Sequence, residues 1–434
     1  MGPDRRPDIG PLPVSGGGGM KTVLFVSHSA ELNGAELWLL ETLRRLDRRA
    51  FRPILALPRP GPLGEEAGQA GVATIVVPAK WWLSESNRVW RQPAAWLLNR
   101  SSVRRLAALV REERADLVFS NSAAAFGGAL AAAGTGVPHV WSVHEILRGK
   151  GRQLRYLFGS VRLGRLILRR SVRVIVNSEA TRSAFPPSDK IVLVPNGIEI
   201  VESDPAREEG LRRRFGLEAG DEAAAVVGKI YPGKGQREAV EAFARIAAEH
   251  PRLRFFIVGQ VRDESYAESI RGLVADRGLE GRVVWTGYIG DLTHFLRLVT
   301  VVVVASTVES FGRAALEGLA SGAAVLAVRA GGLVEVIEDG KNGVLAPSAD
   351  PGALAEGLKS LLGDPGRRRR LVENGRRTVR EKFSLRRQVA AVEGILSEVL
   401  GGALLVPPPF REDGPFFAGA GRPGERGPEG GMSG

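Results

Sequence analysis

Short apolar segments alternate with helical segments along almost the whole chain, and this alternation limits the possible folds more than any other feature. In the first half we predict strands at residues 21–27, 52–57, 73–77, 116–120, 139–143 and 172–177. In the second half we predict strands at residues 223–230, 254–258, 282–285, 300–304 and 324–328. Strands separated by helices form mostly parallel sheets, so an α/β fold is predicted.

A polar and charged segment that ends at Gly216 lies between the two series and predicts a link between two domains. We place the first domain at residues 20–198 and the second at residues 199–383. Residues 1–19 lack the apolar core of a secretory signal, so we predict a disordered leader, with Met20 as an alternative start. The Gly- and Pro-rich residues 401–434 are also predicted to be disordered.

Composition narrows the classes of protein to consider. The chain has 434 residues, of which 44% are hydrophobic and 25% charged, as is typical of a soluble globular protein. Its net charge of +12 indicates an anionic partner, which could be nucleic acid, an acidic membrane or a phosphorylated substrate. The absence of cysteine excludes disulfides, thiolate metal sites and a cysteine nucleophile. No apolar run approaches the roughly 20 residues that span a bilayer.

One segment shows the clearest sign of a ligand site. The apolar run 301–304 leads through a short turn into a helical segment near Ser310, and Glu309 and Glu317 bracket the start of that helix. Eight helical steps would separate the two carboxylates by about 12 Å, which suits two ends of an extended ligand. The helix N-terminus between them suits a phosphate or diphosphate.

Two basic stretches are rich in large apolar side chains. Residues 81–100 contain four of the seven Trp residues, interleaved with Arg88, Arg91 and Arg100. Residues 148–173 contain nine Lys or Arg residues and no acidic residue. Such stretches fit surface helices that pack on the core, helices that bind an anionic membrane or a lipid acceptor, or a nucleic-acid contact. No helix-turn-helix or RNA-binding signature is visible, so we expect no nucleic-acid partner.

The motifs in the second half resemble those of the retaining glycosyltransferases of family 4. Residues 309–317 match the Glu-x7-Glu motif of that family, and Gly331-Gly332 and Glu335 follow at the distance usual there. Residues 228–235, GKIYPGKG, look like the family's glycine–arginine–x4–lysine–glycine loop. Lys229 stands where arginine is usual, which keeps the charge but loses the bidentate fork.

Further motifs agree with this resemblance in order and spacing. They are the loop 33–36 (NGAE), the segment 142–147 (SVHEIL), Gly259, and residues 287–289 (GYI). The resemblance covers roughly residues 20–400 and implies the GT-B architecture, in which two Rossmann-like domains face each other across a cleft. It also implies that the final helix, at 384–400, crosses back to the first domain.

The resemblance implies an enzyme that moves a sugar from a nucleotide diphosphate sugar, such as a UDP or GDP sugar, to an acceptor hydroxyl with retention of configuration. Its catalytic residues would be Lys234, Lys229, Glu309 and His144. Its donor-binding residues would be Gly34, Gly228, Gly259, Tyr288, Ile289, Ser310, Phe311, Gly312 and Glu317. No Asp-x-Asp motif lies in a suitable loop, so we expect no cofactor and no required metal.

The two lysines would stabilise charge on the departing diphosphate. Glu317 would accept hydrogen bonds from the ribose, Glu309 from the sugar region, and His144 would contact the donor sugar or the acceptor. The expected acceptor is a glycan or glycolipid. We expect the protein either free in the cytoplasm or bound at the inner face of the cell membrane. Two alternatives remain open: a nucleotide-sugar epimerase of the same architecture, and a scaffold that binds nucleotide sugars without catalysis.

Overall fold

A computed structural model describes residues 19–83, 89–148 and 154–401. Two separate parallel sheets organise this part of the chain. The predicted disordered segments 1–19 and 401–434 lie almost wholly outside the described residues, as does Arg88. The exact domain boundaries stay a prediction.

The first sheet has seven parallel strands in the order β3-β2-β1-β4-β5-β6-β7. These are β1 (Lys21–Ser27), β2 (Phe51–Leu57), β3 (Ala73–Val76), β4 (Leu117–Asn121), β5 (His139–Val143), β6 (Arg173–Val176) and β7 (Ile191–Leu193). The helices between and after them are α1 (Gly34–Arg45), α2 (Pro62–Gln69), α3 (Gln92–Leu98), α4 (Arg100–Glu112), α5 (Phe126–Thr135), α6 (Ser160–Arg170) and α7 (Glu179–Arg182), with a 3₁₀ turn at Val89–Arg91.

The second sheet has six parallel strands in the order β10-β9-β8-β11-β12-β13. These are β8 (Glu222–Val227), β9 (Leu253–Val258), β10 (Val283–Gly287), β11 (Val301–Val304), β12 (Ala324–Val328) and β13 (Val344–Ala346). The helices of the second half are α8 (Pro205–Phe215), α9 (Gln236–Ile246), α10 (Glu264–Asp276), α11 (Leu292–Arg297), α12 (Arg313–Ser321), α13 (Leu333–Val336), α14 (Pro351–Leu362), α15 (Pro365–Lys382) and α16 (Leu385–Val399).

The eleven predicted strands are all present, and two strands were missed. β7 and β13 have only three residues each and lie at the end of a sheet, so they are too short to show an apolar period. The helix predicted near Ser310 begins instead at Arg313, because Gly312 has a φ of 103° and ends the preceding loop in a left-handed conformation. The premise of eight helical steps between Glu309 and Glu317 is therefore wrong.

The last helix returns to the first sheet. Val392, Ile395 and Leu396 of α16 are buried in the same core cluster as Trp38 and Leu39 of α1. The side-chain amide of Gln388 donates to the carbonyl of Trp38 at 3.2 Å and to the Thr42 hydroxyl at 2.8 Å. The predicted crossing helix is thus confirmed, and the burial of its apolar face fixes it to the first sheet.

The two basic stretches pack only in part. Trp82, Leu163 and Ile167 are buried, as expected for surface helices that pack on the core. In contrast, Trp90 is 66% exposed and Phe158 is 57% exposed. No helix among the described residues is both long enough and apolar enough to cross a bilayer.

Candidate active site

A cleft of about 1370 Å³ is lined by loops at the carboxyl ends of strands from both sheets. This is where α/β sheets bind ligands. The structure brings all thirteen residues predicted for the site to its wall: Gly34, His144, Gly228, Lys229, Lys234, Gly259, Tyr288, Ile289, Glu309, Ser310, Phe311, Gly312 and Glu317. Their individual roles stay predictions.

Lys234 and Glu309 form an ion pair in the second-sheet wall. The Lys234 ammonium lies 2.7 Å from Oε2 of Glu309, and both side chains are largely buried. Burial alone would lower the pKa of Lys234, but the adjacent Glu309 carboxylate outweighs it and the pKa is raised. Lys234 is therefore held in its charged form, and a bound anion would have to share it with Glu309.

The loop that contains Lys229 sits against the next strand end. A Cβ at Gly259, whose φ is +141°, would lie 2.1 Å from the carbonyl oxygen of Gly228, so no side chain fits there. Among the described residues, no carboxylate lies within ion-pair distance of Lys229. Its charge adds to the burial that lowers the pKa of His28 and opposes the burial that raises the pKa of Glu36, both on the opposite wall. Lys229 therefore differs from Lys234, whose ammonium is already paired with Glu309.

Glu317 is held by a residue that the sequence analysis did not identify. Nε of Arg313 lies 2.8 Å from Oε1 of Glu317, and the same guanidinium makes two bonds to Glu41 of α1, at 2.8 and 3.1 Å. Burial raises the pKa of Glu317, and the charge of Arg313 opposes this rise. The four-residue spacing of Arg313 and Glu317 on one helix was visible in the sequence. Nothing in the sequence indicated Glu41, which is 272 residues away from Arg313.

His144 is a neutral acceptor on the first-sheet wall. Its Nε2 lies 2.9 Å from Oδ1 of Asn121, whose amide donates to the carbonyl of Ala35. Oδ1 must then accept, so Nε2 carries the proton and Nδ1 has a free lone pair. Burial lowers the pKa of His144 to about 3, with a further contribution from His28. Nδ1 is buried with no hydrogen-bond partner among the described residues.

Three more polar groups of the cleft were not predicted as site residues. Nδ1 of His28, Oε1 of Glu36 and Oδ1 of Asn196 are buried and lack hydrogen bonds within the described part of the chain. His28 Nδ1 and Glu36 Oε1 are 3.3 Å apart but are not aligned for a hydrogen bond. Burial raises the pKa of Glu36 to about 7. An unpaired buried polar group costs about 1–3 kcal/mol, so this cluster fits a ligand that carries several hydroxyls.

Glu145 and Glu335 were placed in the sequence motifs without a defined role. Oε2 of Glu145 accepts from the backbone N–H groups of Ala123 and His144, both at 3.1 Å, and this fixes the loop that carries His144. Glu335 accepts from the backbone N–H groups of Glu179 and Ala180 at 2.8 and 3.0 Å. It therefore ties α13 of the second sheet to α7 of the first.

Two facing parallel α/β units, a cleft between their strand ends and a returning final helix define a protein of the GT-B class. Solved structures agree. Anabaena HepE in complex with UDP and glucose has a TM-score of 0.74 at 23% identity, over 87% of this chain and 99% of that chain. The lipopolysaccharide glycosyltransferase WaaG has a TM-score of 0.64 at 17% identity, over 88% of this chain and all of that chain (100%).

Family models match both halves of the chain. The model "Glycosyltransferase Family 4" matches residues 32–202, and the model "Glycosyl transferases group 1" matches residues 207–378. The chain belongs to glycosyltransferase family 4.

Individual relatives match part of the chain. D-inositol 3-phosphate glycosyltransferase of Acidothermus cellulolyticus is 37% identical over 192 residues, which is 42% of this chain and 43% of that protein. The lipopolysaccharide core mannosyltransferase LpcC of Rhizobium leguminosarum bv. viciae is 28% identical over 239 residues, 54% of this chain and 67% of that protein. The chain thus matches about half the length of these relatives.

Proposed function

We propose that this protein transfers a sugar from a nucleotide diphosphate sugar to an acceptor hydroxyl and retains the anomeric configuration. The observation that carries this proposal is that the two walls of the cleft differ in their chemistry. Cations and a helix N-terminus line one wall, and buried polar groups without partners line the other. One extended ligand with a diphosphate and several hydroxyls satisfies both walls at once.

The donor diphosphate lies between Lys229 and Lys234 and meets the backbone N–H groups at Phe311 and Gly312, before the start of α12. These N–H groups and the positive end of the helix favour an anion. Glu317 binds the ribose. Its Oε1 is bonded to Arg313, and no donor within the described residues is bonded to its Oε2.

The reaction breaks the bond between the anomeric carbon and the diphosphate oxygen and forms a bond to the acceptor oxygen. The two lysines stabilise the charge that grows on the leaving group. The acceptor proton passes to a phosphate oxygen of the departing diphosphate, so no side chain serves as a base or a nucleophile. Lys229 and Lys234 supply the positive charge at the diphosphate, and we propose that no metal is required.

The acceptor is a glycan or glycolipid that the protein meets at an anionic membrane surface. Gln92 joins the two basic stretches, because its amide bonds the carbonyl of Arg155 and the N–H of Leu157, both at 2.8 Å. The exposed side chains of Trp90, Leu97, Leu98, Leu157, Phe158 and Val161 then lie on joined segments. Exposed arginines of α6 accompany them, as in helices that lie on anionic lipid.

Donor turnover is the decisive measurement. UDP-glucose heads the panel of nucleotide sugars, because the structurally similar HepE was solved with it. Lys234→Ala and Glu317→Ala should each reduce transfer by about 10²- to 10³-fold while the fold survives. Lys341→Ala, which removes an exposed lysine from the second unit, is the matched control. Normal turnover in either site variant would refute the site assignment.

The same assay separates the alternatives. A scaffold would bind the nucleotide sugar but neither hydrolyse nor transfer it. An epimerase would convert the donor without any acceptor.

Membrane binding is tested by flotation with vesicles. We expect binding to anionic but not to neutral vesicles, and a loss of binding as the salt concentration rises to about 1 M, because salt screens exposed charges. Phe158→Ala should weaken binding, whereas Val334→Ala, at an exposed site of the second unit, should not. Binding that does not depend on salt would contradict the electrostatic part of the proposal.

A further inference from the structure

A second cavity, of about 620 Å³, lies in the first unit beside the cleft. Its wall is formed mainly by apolar side chains, among them Leu57, Val77, Leu97, Leu106 and Leu130. Pockets of about 300–1,000 Å³ are the size that holds small ligands. Packed protein interiors leave few voids larger than a water molecule. A space of this size and character is therefore suited to an apolar ligand group.

Aromatic rings make one side of this cavity rigid. The Trp82 ring stacks on Phe126 with a centroid distance of 4.2 Å, and Trp96 packs against both at 5.5 and 4.9 Å. Trp82 and Phe126 are buried, whereas Trp96 is 37% exposed on α3. The cavity is thus preformed and extends to the exposed helix α3 with its apolar residues Leu97 and Leu98.

Charge at the cavity is of one sign. Lys80, Arg100 and Arg104 belong to its lining, and no Asp or Glu does among the described residues. Within the described part of the chain, none of these three cations has a carboxylate within ion-pair distance. An apolar space with unpaired cations complements a molecule that has a hydrocarbon chain and an anionic group.

The cavity adjoins the cleft. His28, Pro58, Ala79, Trp81 and Ala124 line both spaces. The Trp81 indole N–H donates to the carbonyl of His28 at 3.0 Å, and the two rings lie 5.1 Å apart. A ligand with its chain in the cavity can therefore place its polar end beside the unpaired groups of His28 and Glu36.

We propose that the cavity binds the hydrocarbon chain of the acceptor, and that the acceptor is an anionic amphiphile whose hydroxyl end enters the cleft. Lys80, Arg100 and Arg104 bind its anionic group. This inference rests on the proposed function and adds to it the chemical class of the acceptor and the place where its chain lies.

The test uses n-alkyl phosphates with chains of about 6 to about 16 carbons, below their micelle concentrations, and measures binding by tryptophan fluorescence. Affinity should rise by up to about fourfold for each added methylene until the cavity is full, and then level off. Val103→Trp places a large ring at the half-buried wall of α4 and should lower the affinity for long chains at least about tenfold. Ser101→Trp, at an exposed site of the same helix outside the cavity, should leave it unchanged.

A rise without a plateau, or equal effects of the two tryptophan variants, would show adsorption to the surface and would overturn the proposal. The plateau is measured on the unmodified protein, so it decides the question even where Val103→Trp does not fold. Arg104→Gln should weaken binding of the alkyl phosphate but not of the alcohol of equal length.

UDP binding is measured on the same samples by calorimetry. If UDP binds and the alkyl phosphates do not, the acceptor proposal fails and the proposed function stands. If the alkyl phosphates bind and no nucleotide sugar is bound or turned over, the proposed function fails and the acceptor assignment fails with it.

Discussion

The replacement Arg313→Met tests how the two halves of the active site are held together. Arg313 begins α12 in the second unit and bonds to Glu41 of α1 in the first unit, as well as to Glu317. The side chains of Arg313, Glu41 and Glu317 are only 15%, 17% and 14% exposed. Met has a similar length but no charge, so the replacement keeps the volume and removes the bonds.

The expected effect is large because two carboxylates would remain buried without a partner. Breaking a buried ion pair by removing one member costs about 3–5 kcal/mol. This cost is avoided when the two units move apart, so the equilibrium between the observed arrangement and an open one should shift by about 100-fold or more. Glu41→Gln keeps one acceptor oxygen for Arg313 and leaves the bond between Arg313 and Glu317 intact. Its effect on the equilibrium should therefore be smaller than that of Arg313→Met.

In the double variant Arg313→Met/Glu41→Gln, only Glu317 remains as a buried carboxylate without a partner. Because these residues contact one another, the double variant should recover part of the observed arrangement that Arg313→Met loses.

The absence of cysteine from the sequence makes the assay direct. Cysteines introduced at Gly68 in α2 and Gly272 in α10 carry a dye pair. Both positions are exposed, and a Cβ there meets nothing within 4 Å. Energy transfer between the dyes should fall in Arg313→Met and recover in part in the double variant. Arg105→Met, which breaks an exposed pair within α4, is the control. An unchanged transfer efficiency in Arg313→Met, or a double variant no better than the single one, would refute this reasoning.

Two further replacements test donor binding without loss of stability, and the dependence of stability on pH. Gly34→Ala adds a Cβ that meets no protein atom within 4 Å, so the free energy of unfolding should change by less than about 1 kcal/mol while donor binding falls. Gly68→Ala is the control. Unimpaired donor binding in Gly34→Ala would show that no ligand approaches Gly34. Burial raises the pKa of Glu335 from 4.5 to about 7, so its contribution to stability is full below pH 4.5 and is lost as the pH rises through 7. The unfolding free energy of the native protein, minus that of Glu335→Gln, should therefore fall by up to about 3 kcal/mol from pH 4.5 to 8, and parallel pH curves in thermal unfolding would contradict this.

Most of the fold could be predicted because buried parallel strands are short, continuous apolar runs. The predictions for β1, β5 and β12 match the structure at both ends, and the other predicted strands differ by one to three residues at an end. Prediction failed where a strand is too short to show an apolar period, as in β7, and where a single backbone conformation sets the start of a helix. Gly312 delays the start of α12 by its left-handed φ, which an apolar pattern does not reveal.

The members of the site could be predicted, but their partners could not. Each motif names residues that follow a strand, and a parallel sheet brings such residues to one edge. The bonds between Arg313 and Glu41, and between Glu335 and α7, depend on how two separately folded sheets face each other. Likewise, the unpaired groups of His28, Glu36 and Asn196 are defined by burial, which the sequence does not show. Glu36 lay within a recognised motif, so the residue was visible while its raised pKa was not.

The pairing of Lys234 with Glu309 implies different roles for Lys229 and Lys234 in binding a diphosphate. Under the proposed function, the diphosphate would bind Lys229 without competition, because the Lys229 ammonium has no carboxylate partner among the described residues. It can gain from Lys234 only by sharing or displacing a carboxylate held at 2.7 Å. Displacement would free Glu309 to accept hydrogen bonds from the sugar, as the motif implies. Under the proposed function, Lys234 would be charged and largely desolvated before the donor binds, and exchange of Glu309 for the diphosphate would leave that charge beside the leaving group.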